Sequence, residues 1–429
     1  MKYLKKNVSL ILKIVTLILI FNFVFCTTHA YADNEKIDLF AKYAALLDGE
    51  SGRVLYGKDE NTPVPMASTT KIMTCIIALE YADLDLICET SAYAASMPDV
   101  KLNVNKKDYF KLEDLLYSLM LKSHNDAAVV IAENVAQHFL RSNPEEFPVE
   151  AGTLADRHIN ELTKEDSKKL VHVFATLMNK KAASLGCEHT YFITPNGLDA
   201  SDEQGVHSTT ARDLAVIMSY CINNSKFLDI TQTQSHSFSS YNKEQSVLRS
   251  FSVGNANAFL SMYTNIISGK TGFTCDAGYC YVCAYKDDNR TFIVALLACG
   301  WPNNKTYKWK DSKKLLDYGR EKYNIQTIYD KDSPLEPLSV WDGLKYHEFM
   351  PYADINENLQ LLLSDKDNVN VTINYNDVQL PISKNDIVGN IKIYINDKIW
   401  NIIDIKSDTD IKKLEFIDYF TEILNTFLG

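Results

Sequence analysis

The chain has 429 residues, of which 46% are hydrophobic and 11% aromatic, a globular composition that excludes a largely disordered protein. The formal net charge is −11, and the first 32 residues carry four lysines and no acids, so the remainder is near −15. So acidic a chain lacks the clustered Lys and Arg that phosphate backbones require, which excludes nucleic acid as a partner, while the length accommodates a large domain and a smaller second one.

Residues 1–32 read as a secretory leader. Lys2, Lys5 and Lys6 form a basic start, Ile14 to Cys26 is mostly apolar, and Ala30-Tyr31-Ala32 places small residues before a cleavage point at Asp33. The apolar run after Lys13 is shorter than the roughly 20 residues of a membrane span, which favours a leader over an anchor. Bulky Phe25 before Cys26 does not suit a lipoprotein site. Eight cysteines follow the leader, and an even number in an exported chain permits disulfides. Most lie in apolar runs, as Cys75 and Cys299 do, and read as small buried hydrophobes. Cys280 and Cys283 lie in a strand-like run, where residues three apart point to opposite faces, so they do not read as a redox pair. There is no Gly-rich phosphate loop and no zinc-type Cys/His spacing, so neither a metal nor a cofactor is expected.

Tyr43–Asp48 and Val54–Lys58 read as strands joined through Gly49-Glu50-Ser51-Gly52. Pro63 and Pro65 break the chain, and a helix follows Ser68 with Ile72, Ile76 and Leu79 on one stripe. Leu112–Leu121 and Ala127–Ala136 are helical on either side of Ser123-His124-Asn125. Residues 141–169 are polar and charged and read as an inserted surface segment, in which Pro148 and Gly152 argue against one long helix. Leu170–Leu185 is a helix with Val173, Phe174, Leu177 and Met178 on its apolar side. Tyr279–Tyr285 and Thr291–Cys299 read as strands turned by Lys286–Arg290, and Asp311–Tyr323 as a helix.

Composition shifts after Asn324. Val369–Tyr375, Ile391–Ile395 and Ile399–Ile405 are β-branched runs, and Asn396-Asp397 is a hairpin turn, which together predict a small all-β domain. Lys412–Leu428 is amphipathic, with Phe416, Ile417, Phe420, Ile423, Leu424 and Phe427 on one helical face and Glu415, Asp418 and Glu422 off it. By periodicity alone this face suits a membrane interface and docking on its own domain equally; its acidic polar side disfavours anionic lipid. The expected layout is a leader over 1–32, a large domain of mixed strands and helices over 37–325 containing the 141–169 insertion, a β-rich domain over 330–410 and a terminal helix over 411–429.

Three motifs carry the chemistry. Ser68-Thr69-Thr70-Lys71 opens a helix after a Pro-containing loop, so Lys71 lies one turn from Ser68 and its amine reaches the hydroxyl; the helix N-terminus favours an oxyanion nearby. A lysine of pKa ~10.4 is no base at pH 7, but burial and a second cation, Lys270, lower it. Ser123 can pass a proton to a departing amine and Asn125 can hold substrate backbone, although Ser and Asn in a helix break also serve as caps. Lys270-Thr271-Gly272 offers a cation and a hydroxyl to a carboxylate, with Gly272 letting substrate backbone approach; the plain alternative is a turn. Short motifs recur by chance: Ser240-Tyr241-Asn242-Lys243 and Ser383-Lys384-Asn385 also fit, but without an apolar helical stripe. A histidine triad is not supported, because there is no Gly-x-Ser-x-Gly elbow and His189, His207 and His236 have no serine partner by motif.

With these motifs the chain resembles the serine-type D-alanyl-D-alanine carboxypeptidases, the low-molecular-mass penicillin-binding proteins. The resemblance runs from about Ala41 to Tyr323 and includes Pro65–Lys71, Ser123–Ala127, Lys270–Thr274, Thr194-Pro195-Asn196-Gly197-Leu198, Ser208–Asp213 and Ala277–Cys280. It implies an α+β fold of the DD-peptidase/β-lactamase type, an antiparallel sheet flanked by helices, with the β-rich tail and terminal helix matching more loosely. It implies Ser68 as the acylated nucleophile, Lys71 as its base, Ser123 as a proton relay and Asn125 as a substrate-positioning residue. Lys270 and Thr271 would bind the terminal carboxylate, and the N–H groups of Ser68 and Phe273 would form the oxyanion hole. The implied substrates are peptidoglycan stem peptides, with β-lactams as inhibitors. The implied location is the outer face of the cytoplasmic membrane or the cell wall, with membrane contact through the terminal helix. A β-lactamase with the same motifs and a non-catalytic cell-wall-binding protein are the alternatives.

Overall fold

The computed structural model describes residues 37–428; the expected leader lies outside the described residues. Strands β1 (Tyr43–Asp48) and β2 (Val54–Lys58) come first. A 3-10 turn, Ala67–Thr70, leads into α1 (Lys71–Tyr81). Then follow β3 (Ile87–Glu89), α2 (Ala92–Ala95), β4 (Tyr109–Lys111), α3 (Leu112–Tyr117), a π-helical turn over Ser118–Lys122, and α4 (Asn125–Ser142). Next come α5 (Pro148–Leu154), α6 (Lys164–Ser184), α7 (Ala211–Cys221), α8 (Ser225–Gln232), and the hairpin of β5 (Ser235–Tyr241) and β6 (Val247–Gly254). The short α9 (Phe259–Met262) precedes β7 (Ile266–Thr274), β8 (Gly278–Lys286), β9 (Thr291–Leu297) and α10 (Tyr307–Lys322).

The central sheet is antiparallel in the order β2-β1-β9-β8-β7. Ala45, Leu47, Val282, Ala284, Ile293 and Ala295 face the main core, which contains apolar residues of α1, α4, α6 and α7. The opposite face meets α10, where the Trp309 ring stands edge-on to Tyr281 at 4.7 Å and Gly319 lies against Leu46 and Phe292. Every residue of β9 is buried, which is why it reads as an unbroken apolar run rather than an alternating one. A second antiparallel sheet, β3-β4-β5-β6, flanks the site.

Beyond Tyr323 come β10 (Asn324–Tyr329), β11 (Leu338–Trp341), β12 (Tyr346–Phe349), β13 (Pro351–Ala353), β14 (Leu359–Leu363), β15 (Val369–Tyr375), β16 (Ile387–Ile395) and β17 (Lys398–Ser407). They form a four-stranded sheet, β13-β17-β16-β15, and the pairs β10-β14 and β11-β12, around a core that includes Val388, Ile391, Ile393, Ile403 and Ile405. Asn396 and Asp397 both have positive φ, as the expected tight hairpin requires. Helix α11 (Phe416–Leu428) ends the described chain. The described residues from Phe40 onward pack into one compact unit. Arg53 joins the β-rich part to the first sheet: it pairs with Asp367 and donates to the Leu362 carbonyl at 2.8 Å.

Several elements differ from the sequence reading. The segment 141–169 is mostly exposed but regular: it holds α5, a short 3-10 turn and the start of α6, and it buries Leu154, Ile159 and Leu162, apolar residues too sparse to show a period. Gln137 Nε2 donates to the Leu154 and Arg157 carbonyls at 2.7 Å each, docking the segment on α4. Helix α6 starts six residues before Leu170 because Thr163 and Asp166 form a capping box ahead of the apolar stripe. The β5–β6 hairpin has no counterpart in the reading, because exposed serines alternate with Phe238 and Phe251 and mute its apolar pattern. All eight described cysteines are free thiols, with only Cys275 exposed.

Candidate active site

Ser68 sits in the 3-10 turn that enters α1, not in α1 itself. In such a turn residues i and i+3 eclipse, and that places Ser68 Oγ 2.9 Å from Lys71 Nζ. Ala67, just before, has φ of +50°, and the Thr69 and Thr70 hydroxyls donate to the carbonyls of Met66 (2.6 Å) and Ala67 (2.8 Å), fixing the turn.

Lys71 is wholly buried. Its Nζ donates to Asn125 Oδ1 at 2.9 Å and to the Asn196 carbonyl at 2.5 Å. Both partners can only accept. With the amine charged, its third N–H donates to Ser68 Oγ; with the amine neutral, these two acceptors would take both hydrogens and leave the lone pair toward Ser68 Oγ, whose own longer contact is to the Asn196 carbonyl at 3.4 Å. Burial, then the charge of Lys270, hold the Lys71 pKa well below the usual lysine value, with Asp126 opposing. The amine is therefore held in place and biased toward the uncharged form that a base requires.

Ser123 follows the π-helical turn in a left-handed conformation, φ +66° and ψ +32°, which turns its side chain toward β7. Lys270 Nζ donates to Ser123 Oγ at 2.8 Å and to the Thr271 carbonyl at 2.9 Å. Burial lowers the Lys270 pKa to about 7. The structure thus brings together Ser68 with Lys71 and Ser123 with Lys270, with charge coupling between the two lysines.

Two of the expected site residues also make contacts within the chain. Both ends of the Asn125 amide are engaged. Its Oδ1 holds Lys71, and its Nδ2 donates to the carbonyls of Pro98 (3.2 Å) and Asp99 (3.1 Å). Asp126 then pins the same loop, accepting from the N–H of Leu102 (2.8 Å) and Val104 (3.1 Å). Gly272 makes room for its own chain: a Cβ there would lie 2.9 Å from Ser68 N, 3.0 Å from Ala67 Cβ and 3.1 Å from the Met66 carbonyl. Strand β7 therefore runs directly beside the Ser68 N–H. Thr271 is half-buried, and Phe273 is exposed and packs on Tyr279 at 4.7 Å.

The chance matches lie elsewhere. Ser240 is on β5 and Lys243 in the exposed hairpin turn, while Ser383 and Asn385 sit in a turn of the β-rich part. His124 bonds Ser118 at 2.8 Å, and His236 pairs with Asp114 at 2.8 Å and stacks on Tyr117. The residue that sequence reasoning passed over is Asn196, whose contribution is a backbone carbonyl. Residue type carries no signal for that; only its place in the Thr194–Leu198 stretch pointed to it.

Known proteins match over the same region. The family model described as D-alanyl-D-alanine carboxypeptidase matches residues 28–139 and 171–299, and a model of the C-terminal domain of penicillin-binding protein 5 matches 323–413. The chain is 26% identical over 385 residues to the D-alanyl-D-alanine carboxypeptidase DacF of Bacillus subtilis, covering 88% of each chain. It is 30% identical over 277 residues to DacB2 of Mycobacterium tuberculosis, covering 63% of this chain and 79% of that one. Among solved structures, a D-alanyl-D-alanine carboxypeptidase from Mycobacterium tuberculosis aligns with a TM-score of 0.54 at 27% identity, over 68% of this chain and 95% of that one. A carboxypeptidase DacD from Francisella tularensis aligns with a TM-score of 0.60 at 21% identity over 88% and 95%, a likeness of fold.

Proposed function

The chain belongs to the D-alanyl-D-alanine carboxypeptidase family, and from that membership and the paired serine–lysine geometry we propose the following mechanism for this serine-type carboxypeptidase. Neutral Lys71 takes the proton of Ser68 Oγ as the oxygen attacks the carbonyl of the penultimate D-alanine. The backbone N–H groups of Ser68 and Phe273 stabilise the resulting oxyanion, and one such donor is typically worth ~10²–10³ in rate. Lys270, with the Thr271 hydroxyl, binds the terminal carboxylate. Ser123, held by Lys270, hands a proton to the departing D-alanine amine and is reprotonated from the lysines. Water then attacks the Ser68 ester with Lys71 again as base, releasing the shortened peptide.

The substrates are peptidoglycan stem pentapeptides, and β-lactams, which resemble the D-Ala-D-Ala end, acylate Ser68. The observation that carries this reading is the Lys71 amine, buried with two obligate acceptors and directed at Ser68 Oγ. Incubation with penicillin followed by intact-mass measurement should give one adduct, absent from Ser68→Ala, and a defined pentapeptide should release D-alanine. An adduct that survives Ser68→Ala overturns the assignment, and rapid turnover of a chromogenic cephalosporin would mark a β-lactamase instead.

We assign the chemistry to residues 37–325, with 141–169 as an insertion, and a positioning role to 330–410 and 411–429. The protein acts outside the cytoplasm after loss of its leader, at the membrane face or in the wall. Among the described residues no helix is long and apolar enough to cross a membrane. Helix α11 exposes Phe416, Ile417, Phe420, Ile423 and Leu424, an apolar face suited to peripheral contact. Flotation with neutral vesicles, lost in Phe416→Ser/Phe420→Ser, tests that role.

A further inference from the structure

Thr70 lies between Ser68 and Lys71 and takes no part in the chemistry, yet its hydroxyl is tied on both sides. It donates to the Ala67 carbonyl at 2.8 Å and stands 2.9 Å from His207 Nε2. The other ring nitrogen of His207, Nδ1, accepts from the backbone N–H of Ile193 at 2.9 Å and more weakly from that of Thr194 at 3.4 Å. A ring nitrogen that accepts carries no proton, so neutral His207 keeps its proton on Nε2 and donates it to Thr70. His207 is 1% exposed, and burial is the main cause that lowers its pKa to about 4, so it is neutral at the pH of catalysis.

The result is a directed chain, from imidazole to Thr70 hydroxyl to Ala67 carbonyl. Ala67 holds a left-handed conformation that alanine seldom adopts, and it directly precedes Ser68. The other end of the imidazole holds the segment leading to Asn196, whose carbonyl orients the Lys71 amine. Gly197 brings the two segments together again: its φ is +82°, and a Cβ there would fall 2.0 Å from the Ala67 carbonyl oxygen. One buried side chain therefore spans the turn that carries the nucleophile and the loop that aims its base.

We propose that His207 is a positioning residue for acylation, setting the Ser68 turn against the Asn196 carbonyl so that the Lys71 lone pair meets Ser68 Oγ. The proposal rests on the roles assigned above to Ser68 and Lys71. Small displacements of a reacting pair can cost ~10²-fold in rate. His207→Phe keeps an aromatic ring beside Phe192, 5.9 Å away, and removes both hydrogen bonds. His207→Asn retains an acceptor near Nδ1, and His207→Gln a donor near Nε2.

The second-order rate of penicillin acylation should fall at least about tenfold in His207→Phe, with KM for a pentapeptide changed far less than kcat and the melting temperature close to wild type. His207→Asn and His207→Gln should each recover part of the rate. Because Thr70→Val breaks the same chain, its combination with His207→Phe should cost no more than the larger single change. Acylation of His207→Phe at the wild-type rate overturns the proposal. So does a double variant whose losses multiply. If His207→Phe does not fold, His207→Gln with Thr70→Val makes the same comparison. A wild type that penicillin does not acylate sinks the assignment of Ser68, and this proposal with it, and is told apart by appearing before any variant is made.

Discussion

Lys270 Nζ lies 2.8 Å from Ser123 Oγ, and this contact joins the third motif to the second across the cleft from the Ser68–Lys71 pair. Two buried lysines thus share one site, each paired with its own serine. The arrangement works only if they differ in charge. Burial and the neighbouring Lys270 push Lys71 toward the uncharged form, and Lys270, lowered by burial to about 7, supplies the cation that a carboxylate substrate requires while it holds its proton.

Acylation should therefore rise with pH as Lys71 loses its proton and fall as Lys270 loses its own, at about 7 in the free enzyme. Lys270→Met removes one of the two causes that depress Lys71, so the rising limb should move to higher pH, while Lys270→Arg keeps the charge and leaves it in place. The pH dependence of the penicillin acylation rate measures both. A limb that stays put in Lys270→Met would show that burial alone sets the Lys71 charge.

Gly272→Ala should slow acylation by about 100-fold or more while leaving the protein folded. The added Cβ meets Ser68 N and the Met66 carbonyl, backbone atoms that cannot swing aside, so β7 and the Ser68 turn must part. Acylation kinetics and circular dichroism of the variant test this. Unchanged acylation would mean that the two backbones separate without cost to the site.

Glu133 provides a stability prediction away from the chemistry. It is fully buried on α4; Ser91 Oγ donates to its Oε1 at 2.8 Å, and the Ser167 hydroxyl is the other polar group beside it. Burial raises its pKa to about 8. The unfolded chain releases this proton near the ordinary carboxyl value and the folded protein only near 8, so between those values the unfolded state binds fewer protons. Glu133 then makes folding less stable as pH rises from about 4.5 to 8, by on the order of 4 kcal/mol over the interval. Glu133→Gln should flatten that slope, seen as a smaller fall in melting temperature between pH 5 and pH 8. An identical slope in wild type and variant would rule out Glu133 as its source.

Arg53→Ala should loosen the β-rich part without touching catalysis. Arg53 is mostly buried, bonds Asp367 and the Leu362 carbonyl, and stands over the Tyr323 ring. It lies just before β2, which is four strand spacings from β7 in the sheet, roughly 19 Å. The expected cost is about 1–3 kcal/mol, with faster trypsin cleavage near Asn324 and D-alanine release within about twofold of wild type. A large loss of activity at unchanged stability would instead mean that the β-rich part shapes the site.

Much of the site was legible in the linear chain because its reactive groups are side chains in short, ordered motifs. Ser68 and Lys71 share one turn, so their contact is local, and strands such as Val369–Tyr375 showed in their β-branched runs. The helices inside 141–169 were not legible because its buried apolar residues are too few to form a period, and the β5–β6 hairpin was not because small serines fill most of its positions and leave few apolar residues to mark the alternation. The sequence by itself determined which nucleophile, base and cation are present and the order in which they come. Only the tertiary structure decided that the Asn125 side chain and the Asn196 carbonyl hold the Lys71 amine against Ser68, that Gly272 lies against the Ser68 turn, and that His207 links the two sides. Those relationships depend on backbone carbonyls, on burial and on contacts between segments more than 100 residues apart, and residue identity specifies none of them until the chain has folded.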